Sequence, residues 1–365
     1  MNRKDFIERD IDDFDDDDDI DVVGITTGAQ LEDYYSKGFR NTGAGYLRFI
    51  LMAFVCFWNY GFPEPTGIVS AISGFAIPCF YILSGYFILP SDMELSSKRT
   101  VRKIKRSAFC MAFMFLVYLL INIIVCVIKH ISVKVTKRVI FNFLVLNLWP
   151  LPIGSNIWFI QAMLYAYIVI LIVHKLGMMK FYKPVLIITL IIMLLTGEFA
   201  GLIHFNVLGY SYIPGNWLTR ALPYILIGKL IRDNEDRLLK SKTWKCLLIT
   251  VVGALLAIGE IVLLGKTGLL VYEGHMIGYG VMAVAVCCLA LSKPMGHLNP
   301  ITYFDTELSG VIYLFIEPIY YALGLIAGKD NFGLFAYFGG IAAYLVCIML
   351  AFAFKNSRLI KAFFA

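Results

Sequence analysis

The sequence is short of charge. Only 16% of its 365 residues are Asp, Glu, Lys or Arg, against about 25% in soluble domains. With 59% apolar residues, a soluble protein has too little polar surface to cover itself. That excludes an ordinary cytosolic enzyme, a disulfide-stapled secreted scaffold and a disordered chain. The eight cysteines form no CxxC pair and none has the His spacing of a zinc site. They read as reduced packing residues, and no metal is expected. No Walker loop, HExxH or GxSxG occurs, which argues against an ATP-driven pump and the commonest hydrolases. The first 40 residues lack the apolar stretch of a cleavable signal, so the first transmembrane helix is expected to insert the chain. No internal repeat is evident, against the inverted repeats of many transporters.

What remains is apolar segments. Ten fall near 46–61, 68–89, 107–128, 157–174, 185–203, 218–231, 246–264, 275–291, 308–327 and 334–354. Each is close to the length an α-helix needs to cross hydrocarbon. The expected fold is therefore all-α, a polytopic transmembrane bundle of about ten spans. A shorter stretch, 139–149, carries Asn142 and Asn147 and runs into Trp149-Pro150. It reads as interfacial or re-entrant. Residues 1–43 form an acidic tail, with half of the 26 acidic residues in the first 33 and Asp12–Asp21 nearly all Asp. Like-charge repulsion predicts disorder there. The membrane domain is expected over 44–354, followed by a short basic tail, 355–365.

Charge sets the expected orientation. With the N-terminus in the cytosol, eighteen Lys and Arg fall in inner loops and six in outer loops. The positive-inside bias then predicts a multi-pass protein of the cell membrane with both termini cytosolic. The basic residues read as topology determinants facing anionic lipid, not as a nucleic-acid surface.

Two stretches stand out. Tyr46-Leu47-Arg48-Phe49 is followed by Phe57-Trp58-Asn59-Tyr60. Ile77-Pro78-Cys79-Phe80-Tyr81-Ile82-Leu83-Ser84-Gly85-Tyr86-Phe87 is followed by Lys98-Arg99-x-x-Arg102-Lys103-x-Lys105-Arg106. Further on come Asn156-Ile157-Trp158-Phe159, Leu222-Pro223-Tyr224-Ile225-Leu226-Ile227-Gly228 and Gly310-Val311-Ile312-Tyr313-Leu314-Phe315-Ile316-Glu317-Pro318. In this order, over about 44–354, they resemble the acyltransferase-3 family of integral-membrane O-acyltransferases. The resemblance implies ten spans, an acyl-CoA donor such as acetyl-CoA, and a hydroxyl acceptor on a glycan or lipid-linked sugar. It also implies a His eleven residues after the first-helix Arg and another before the late Pro. This sequence has Asn59 and Glu317 at those places.

The residues carry a physical reading beside the resemblance. Eleven residues make about three turns, so Arg48 and Asn59 share one helix face about 16 Å apart. Arg48 is either a snorkelling anchor or a phosphate holder at a cytosolic mouth, with Asn59 deeper in the membrane. Lys98, Arg99, Arg102, Lys103, Lys105 and Arg106 form either a topology loop or a clamp on coenzyme A phosphates. Glu198, Arg220, Glu260 and Glu317 are ionisable groups in apolar segments. Glu317 is the candidate general base, with Arg220 a conceivable partner, and Glu260 reads as structural. Of the five histidines, His130, His204 and His275 fall at expected outer ends and none has a recognisable catalytic context; His204 or His275 is the alternative replacement base. Trp158 and its neighbours read as an aromatic belt or as a platform for a sugar.

Three functions compete. The first is an O-acyltransferase in which Arg48, Asn59 and Glu317 carry the chemistry, Asn59 polarising the thioester carbonyl. The second is a degenerate family member acting as a non-enzymatic membrane transporter or sensor. The third is an unrelated small-molecule transporter. The orientation is testable first. Cysteines introduced into the basic segment and into the 355–365 tail should resist impermeant thiol reagents added outside intact cells. Efficient labelling at either place would reverse the assigned sidedness.

Overall fold

The computed structural model describes residues 39–40, 42–63, 67–130, 136–147, 149–197, 216–238, 241–267, 276–292, 296–297, 300–328 and 332–354. The expectations for most of the acidic tail, for Glu198, His204 and His275, and for the 355–365 tail lie outside these residues.

The described chain is helical apart from one two-residue pairing, β1 (Phe39–Arg40) antiparallel to β2 (Gly296–His297). That pairing ties the segment before the first helix to the segment before a late one. The helices are α1 (Thr42–Tyr60), α2 (Ile68–Ile72), α3 (Ala76–Ile88), α4 (Met93–Lys129), α5 (Lys137–Leu146), α6 (Ile157–Lys175) and α7 (Tyr182–Thr196). They continue with α8 (Leu222–Asp233), α9 (Glu235–Leu238), α10 (Thr243–Lys266), α11 (Ile277–Leu291), α12 (Pro300–Ala327) and α13 (Phe332–Phe354). A 3-10 turn, Ser73–Phe75, links α2 to α3, and a π-helical turn, Trp217–Ala221, leads into α8.

Among the described residues, seven helical stretches are long and apolar enough to cross a membrane. The chain is thus a multi-pass membrane protein. The exposed surface supports this: Leu247, Val251 and Leu255 on α10 and Leu120, Ile124 and Ile128 on α4 face outward. A surface as apolar as the interior suits lipid and not water. Each of the ten expected segments contains helix, but several boundaries differ. The basic stretch expected as a loop is the opening of α4, a helix of 37 residues. Asp92 caps it, its Oδ1 accepting from the backbone N–H of Glu94 at 2.8 Å and of Leu95 at 3.2 Å. An Asp cap with Glu94 in the first turn is a standard helix start. The 139–149 stretch is α5, ten residues long and too short to span.

The centre of the bundle is α3, with eleven of its thirteen residues buried. It crosses α8 at two glycines. A Cβ on Gly85 would stand 2.0 Å from the Ile225 carbonyl oxygen, and one on Gly228 would stand 2.1 Å from that of Ile82. Neither backbone tolerates any side chain, so the helices meet backbone to backbone, as small residues permit in membranes. On the flank, Glu260 Oε2 accepts the Gly278 N–H at 3.1 Å, satisfying an orphan donor in the first turn of α11. That is the structural role its sequence context suggested. All eight cysteines are free and seven are buried.

The crossing makes a sharp prediction. Gly85→Ala and Gly228→Ala should each destabilise the protein by about 1–3 kcal/mol or prevent folding, as overpacking does. Gly259→Ala, where a Cβ meets nothing within 4 Å, should be neutral. Thermal unfolding of the three variants in detergent checks this, and equal behaviour would refute the close crossing.

Candidate functional site: an amphipathic cavity with a basic end

The basic residues of α4 divide by helical phase. Arg99, Lys103 and Arg106 recur at i, i+4 and i+7, and Lys98, Arg102 and Lys105 repeat the same spacing on a neighbouring face. The second set is exposed, with Lys98 paired to Glu94 at 2.8 Å. In the first set, Arg99 Nη1 donates to the Phe87 carbonyl at 2.8 Å, tying α4 to the end of α3. Lys103 and Arg106 line a cavity. Arg48 joins them from α1, its guanidinium 5.2 Å from the centre of the Phe87 ring.

The cavity has a volume of about 250 Å³, just below the usual range of ligand pockets, about 300–1,000 Å³. It runs between α1, α3, α4, α6 and α12. Helix direction orders its wall. Arg48, Ile88, Lys103, Arg106 and Ser309 form the basic end. Val55, Ile77, Phe159, Tyr313 and Leu314 form the opposite, apolar end. Between them Ser84 and Tyr167 share a hydrogen bond through their hydroxyls. No Asp or Glu lines the cavity among the described residues. Along α1, α6 and α12 the lining ends at Val55, Phe159 and Leu314. Asn59, Trp158 and Glu317 lie further along the same helices, outside the lining.

Those residues form a second, polar neighbourhood. Asn59 continues the Arg48–Met52–Val55 face, one turn past Val55, and is exposed. Its Nδ2 donates to the Val55 carbonyl at 3.0 Å. Arg220 is 1% exposed and sits in the π-helical turn, a distortion frequent at functional sites. Its guanidinium lies 5.1 Å from the Trp158 ring centre, within cation–π range.

Glu317 owes its place to the proline after it. Pro318 has no N–H, so the Leu314 carbonyl four residues back loses its helical donor. The Tyr118 hydroxyl donates to that carbonyl instead. One turn on, the Glu317 carboxylate collects three donors from the loop that opens α6. These are Gly154 N–H at 3.0 Å, Ser155 Oγ at 3.1 Å and Asn156 N–H at 3.2 Å. Asn156 Nδ2 also donates to the Tyr313 carbonyl at 3.0 Å. Gly154 has φ +112°, and a Cβ there would strike the Tyr118 ring at 2.8 Å, so only glycine aims its N–H this way. A carboxylate offers about four lone-pair sites, and three are occupied.

The sequence-predicted residues therefore fall into groups. Arg48, Lys103 and Arg106 meet at one cavity end. Asn59 lies on the Arg48 face beyond the other end, Trp158 pairs with Arg220, and Glu317 is held by the 154–156 loop. Lys98, Arg102 and Lys105 point elsewhere, and Arg99 is used as a clasp. Phase counting along α4 separates these two faces once its start is recognised. The Ser84–Tyr167 pair and the Glu317 donors were missed, since their partners are 83 and more than 160 residues apart.

Fold and site together define a multi-pass membrane protein with an amphipathic cavity between its helices. A family model described as an acyltransferase domain matches residues 41–352. The chain belongs to that family, the acyltransferase-3 family of membrane proteins. No curated protein and no solved structure matches it.

The carboxylate clasp is testable by itself. Glu317→Gln turns an amide N–H₂ toward donors and should cost about 1–3 kcal/mol, the range for an unsatisfied buried polar group. Glu317→Asp, with a shorter arm, should fall between. Thermal unfolding in detergent reads both, and an unchanged Glu317→Gln midpoint would show that the three contacts contribute nothing.

Proposed function

We propose that the chain is an O-acyltransferase. It takes an acyl group, most simply acetyl, from acyl-CoA at the cytosolic side and gives it to a hydroxyl of a cell-envelope glycan or lipid-linked sugar. Ten helices cross the cell membrane in this reading, with both termini cytosolic. The observation that carries it is the cavity, with Arg48, Lys103 and Arg106 at one end and an aromatic wall at the other. Guanidinium and ammonium groups suit phosphates. The apolar length suits a thioester arm. From Arg48 to Val55, and from Lys103 to Cys110, seven residues rise about 10 Å; from Ile88 to Ile77 eleven rise about 16 Å. An extended pantetheine arm has the length of about four residues, roughly 14 Å. The arm is longer than the α1 and α4 paths and just shorter than the α3 path, so a donor whose phosphates sit at the basic end brings its thioester to the apolar end. Exposed Lys98, Arg102 and Lys105 keep the topology and lipid-headgroup role.

The chemistry follows from the far side. The acceptor hydroxyl attacks the thioester carbonyl carbon, the C–S bond breaks, and the proton passes to the departing sulfur. Asn59 has a second amide N–H besides the one bound to Val55, and donates it to the carbonyl oxygen as charge develops. Glu317 takes the hydroxyl proton on its remaining lone-pair site. Trp158, stacked under Arg220, faces the acceptor sugar. A second reading is a non-enzymatic transporter or sensor. The occupied Glu317 carboxylate and the non-titrating Asn59 favour it.

One experiment separates the readings. Purified protein in detergent is given acetyl-CoA labelled in the acetyl group, with and without envelope acceptors. Lys103→Ala/Arg106→Ala should weaken acetyl-CoA binding about tenfold or more, and Arg102→Ala/Lys105→Ala much less. Binding and transfer support the enzyme. Binding without turnover against any acceptor supports the second reading, and equal loss in both double variants would reduce α4 to a topology signal.

A further inference from the structure

The outer end of the cavity is a wall of rings, and its rigidity bears on which acyl groups fit. Phe159 lies among four other aromatic rings. Its centroid is 4.7 Å from Tyr81, 5.2 Å from Tyr313, 5.9 Å from Trp158 and 6.3 Å from Phe80. Tyr81 is fully buried and Tyr313 is 7% exposed. The Tyr313 backbone is fixed by Asn156, and the next turn of its helix is fixed through Glu317. Phe159 begins the second residue pair of α6, directly after the 154–156 loop that Glu317 holds. Rings therefore back Phe159 on the sides away from the cavity, which it faces directly.

We propose that Phe159, backed by Tyr313, is the acyl-length selector of this cavity, admitting acetyl and excluding medium-chain acyl groups. The inference rests on the donor reading above. The phosphates fix one end of the donor and the pantetheine arm takes up nearly all of the apolar path, so no more than a small acyl group fits before Phe159. A longer chain must either displace Phe159 or lift the phosphates from Arg48, Lys103 and Arg106. Selection by a packed wall is steep, because one methylene too many in a closed pocket changes discrimination by about 10–200-fold. Phe159 is then a specificity-determining residue, and the polar groups beyond it, Asn59 and Glu317, play no part in choosing the acyl chain.

The test measures affinities of the purified full-length protein for coenzyme A, acetyl-CoA, butyryl-CoA and hexanoyl-CoA. Wild type should bind acetyl-CoA at least tenfold better than hexanoyl-CoA. Phe159→Ala should erase or invert that ratio while leaving coenzyme A affinity within about twofold. Phe159→Leu keeps an apolar side chain in the wall and should shift the preference toward butyryl-CoA, and it decides the matter if Phe159→Ala does not fold. A wild type that binds acetyl- and hexanoyl-CoA equally, or a folded variant with the wild-type ratio, overturns the selector while the donor reading stands. A wild type that binds none of the four overturns the donor reading itself.

Discussion

The site depends on the backbone contact between α3 and α8. Gly85 and Gly228 let two helices approach until carbonyl oxygens replace side chains as the surface of contact. Lipid gives no hydrophobic push between helices, so such close packing is a main source of cohesion in a membrane. The contact also fixes phase. With Gly85 against α8, Ser84 turns into the cavity and Tyr86 lies under Arg232, 5.0 Å from its guanidinium. Phe87 lies beside Arg48 and offers its carbonyl to Arg99. Four consecutive residues of α3 thus serve the helix crossing and the basic end at once. Any rotation of α3 that relieved the glycine contact would carry all of them away.

A second constraint acts on α12. Pro318 breaks the helical ladder inside an apolar environment, where a bare carbonyl is costly. Tyr118 meets that need for Leu314. The carboxylate before the proline is met by Gly154, Ser155 and Asn156. Glu317 and its loop are therefore a matched set, an acceptor facing three donors. The histidine that the family resemblance implies at this position would not fit the set. A neutral imidazole has one acceptor nitrogen, so two donors would be stranded at about 1–3 kcal/mol each. The local structure around Glu317 thus suits a carboxylate and extends beyond one residue.

Much of the architecture was legible in the sequence, because hydropathy acts locally. Each apolar segment contains helix, and the eleven-residue spacing puts Arg48 and Asn59 on one face of α1. The start of α4 was misplaced because six basic residues in nine look like a loop. The Asp92 cap and Glu94 were the signal to extend the helix to 93. The cavity could not be read. Its wall draws on five helices, and its polar pair, Ser84 and Tyr167, joins residues 83 positions apart. The Glu317 partners could not be read either. Two of its three donors are backbone N–H groups, which carry no residue identity. Only glycine at position 154 leaves a trace, and a lone glycine beside Ser155 and Asn156 also looks like any turn.

The aromatic layer has a further consequence for a transfer reaction. A thioester in water hydrolyses, and an acyl donor with an open path to both sides of a membrane would lose its group to water at either. Phe159, Tyr313 and Leu314 line the apolar end of the cavity, and rings packed there narrow the path between its two ends. The groups that would meet an acceptor, Asn59, Glu317 and the Trp158–Arg220 pair, all lie past the layer. In the proposed reading, donor and acceptor approach from opposite ends and meet in the plane of the rings. Coupling therefore requires the carbonyl to reach that plane and not to pass far beyond it. A short acyl group meets this condition because the pantetheine arm has already used the available depth. In the proposed reading, the geometry that limits the length of the donor also sets how near its carbonyl comes to the Asn59 side.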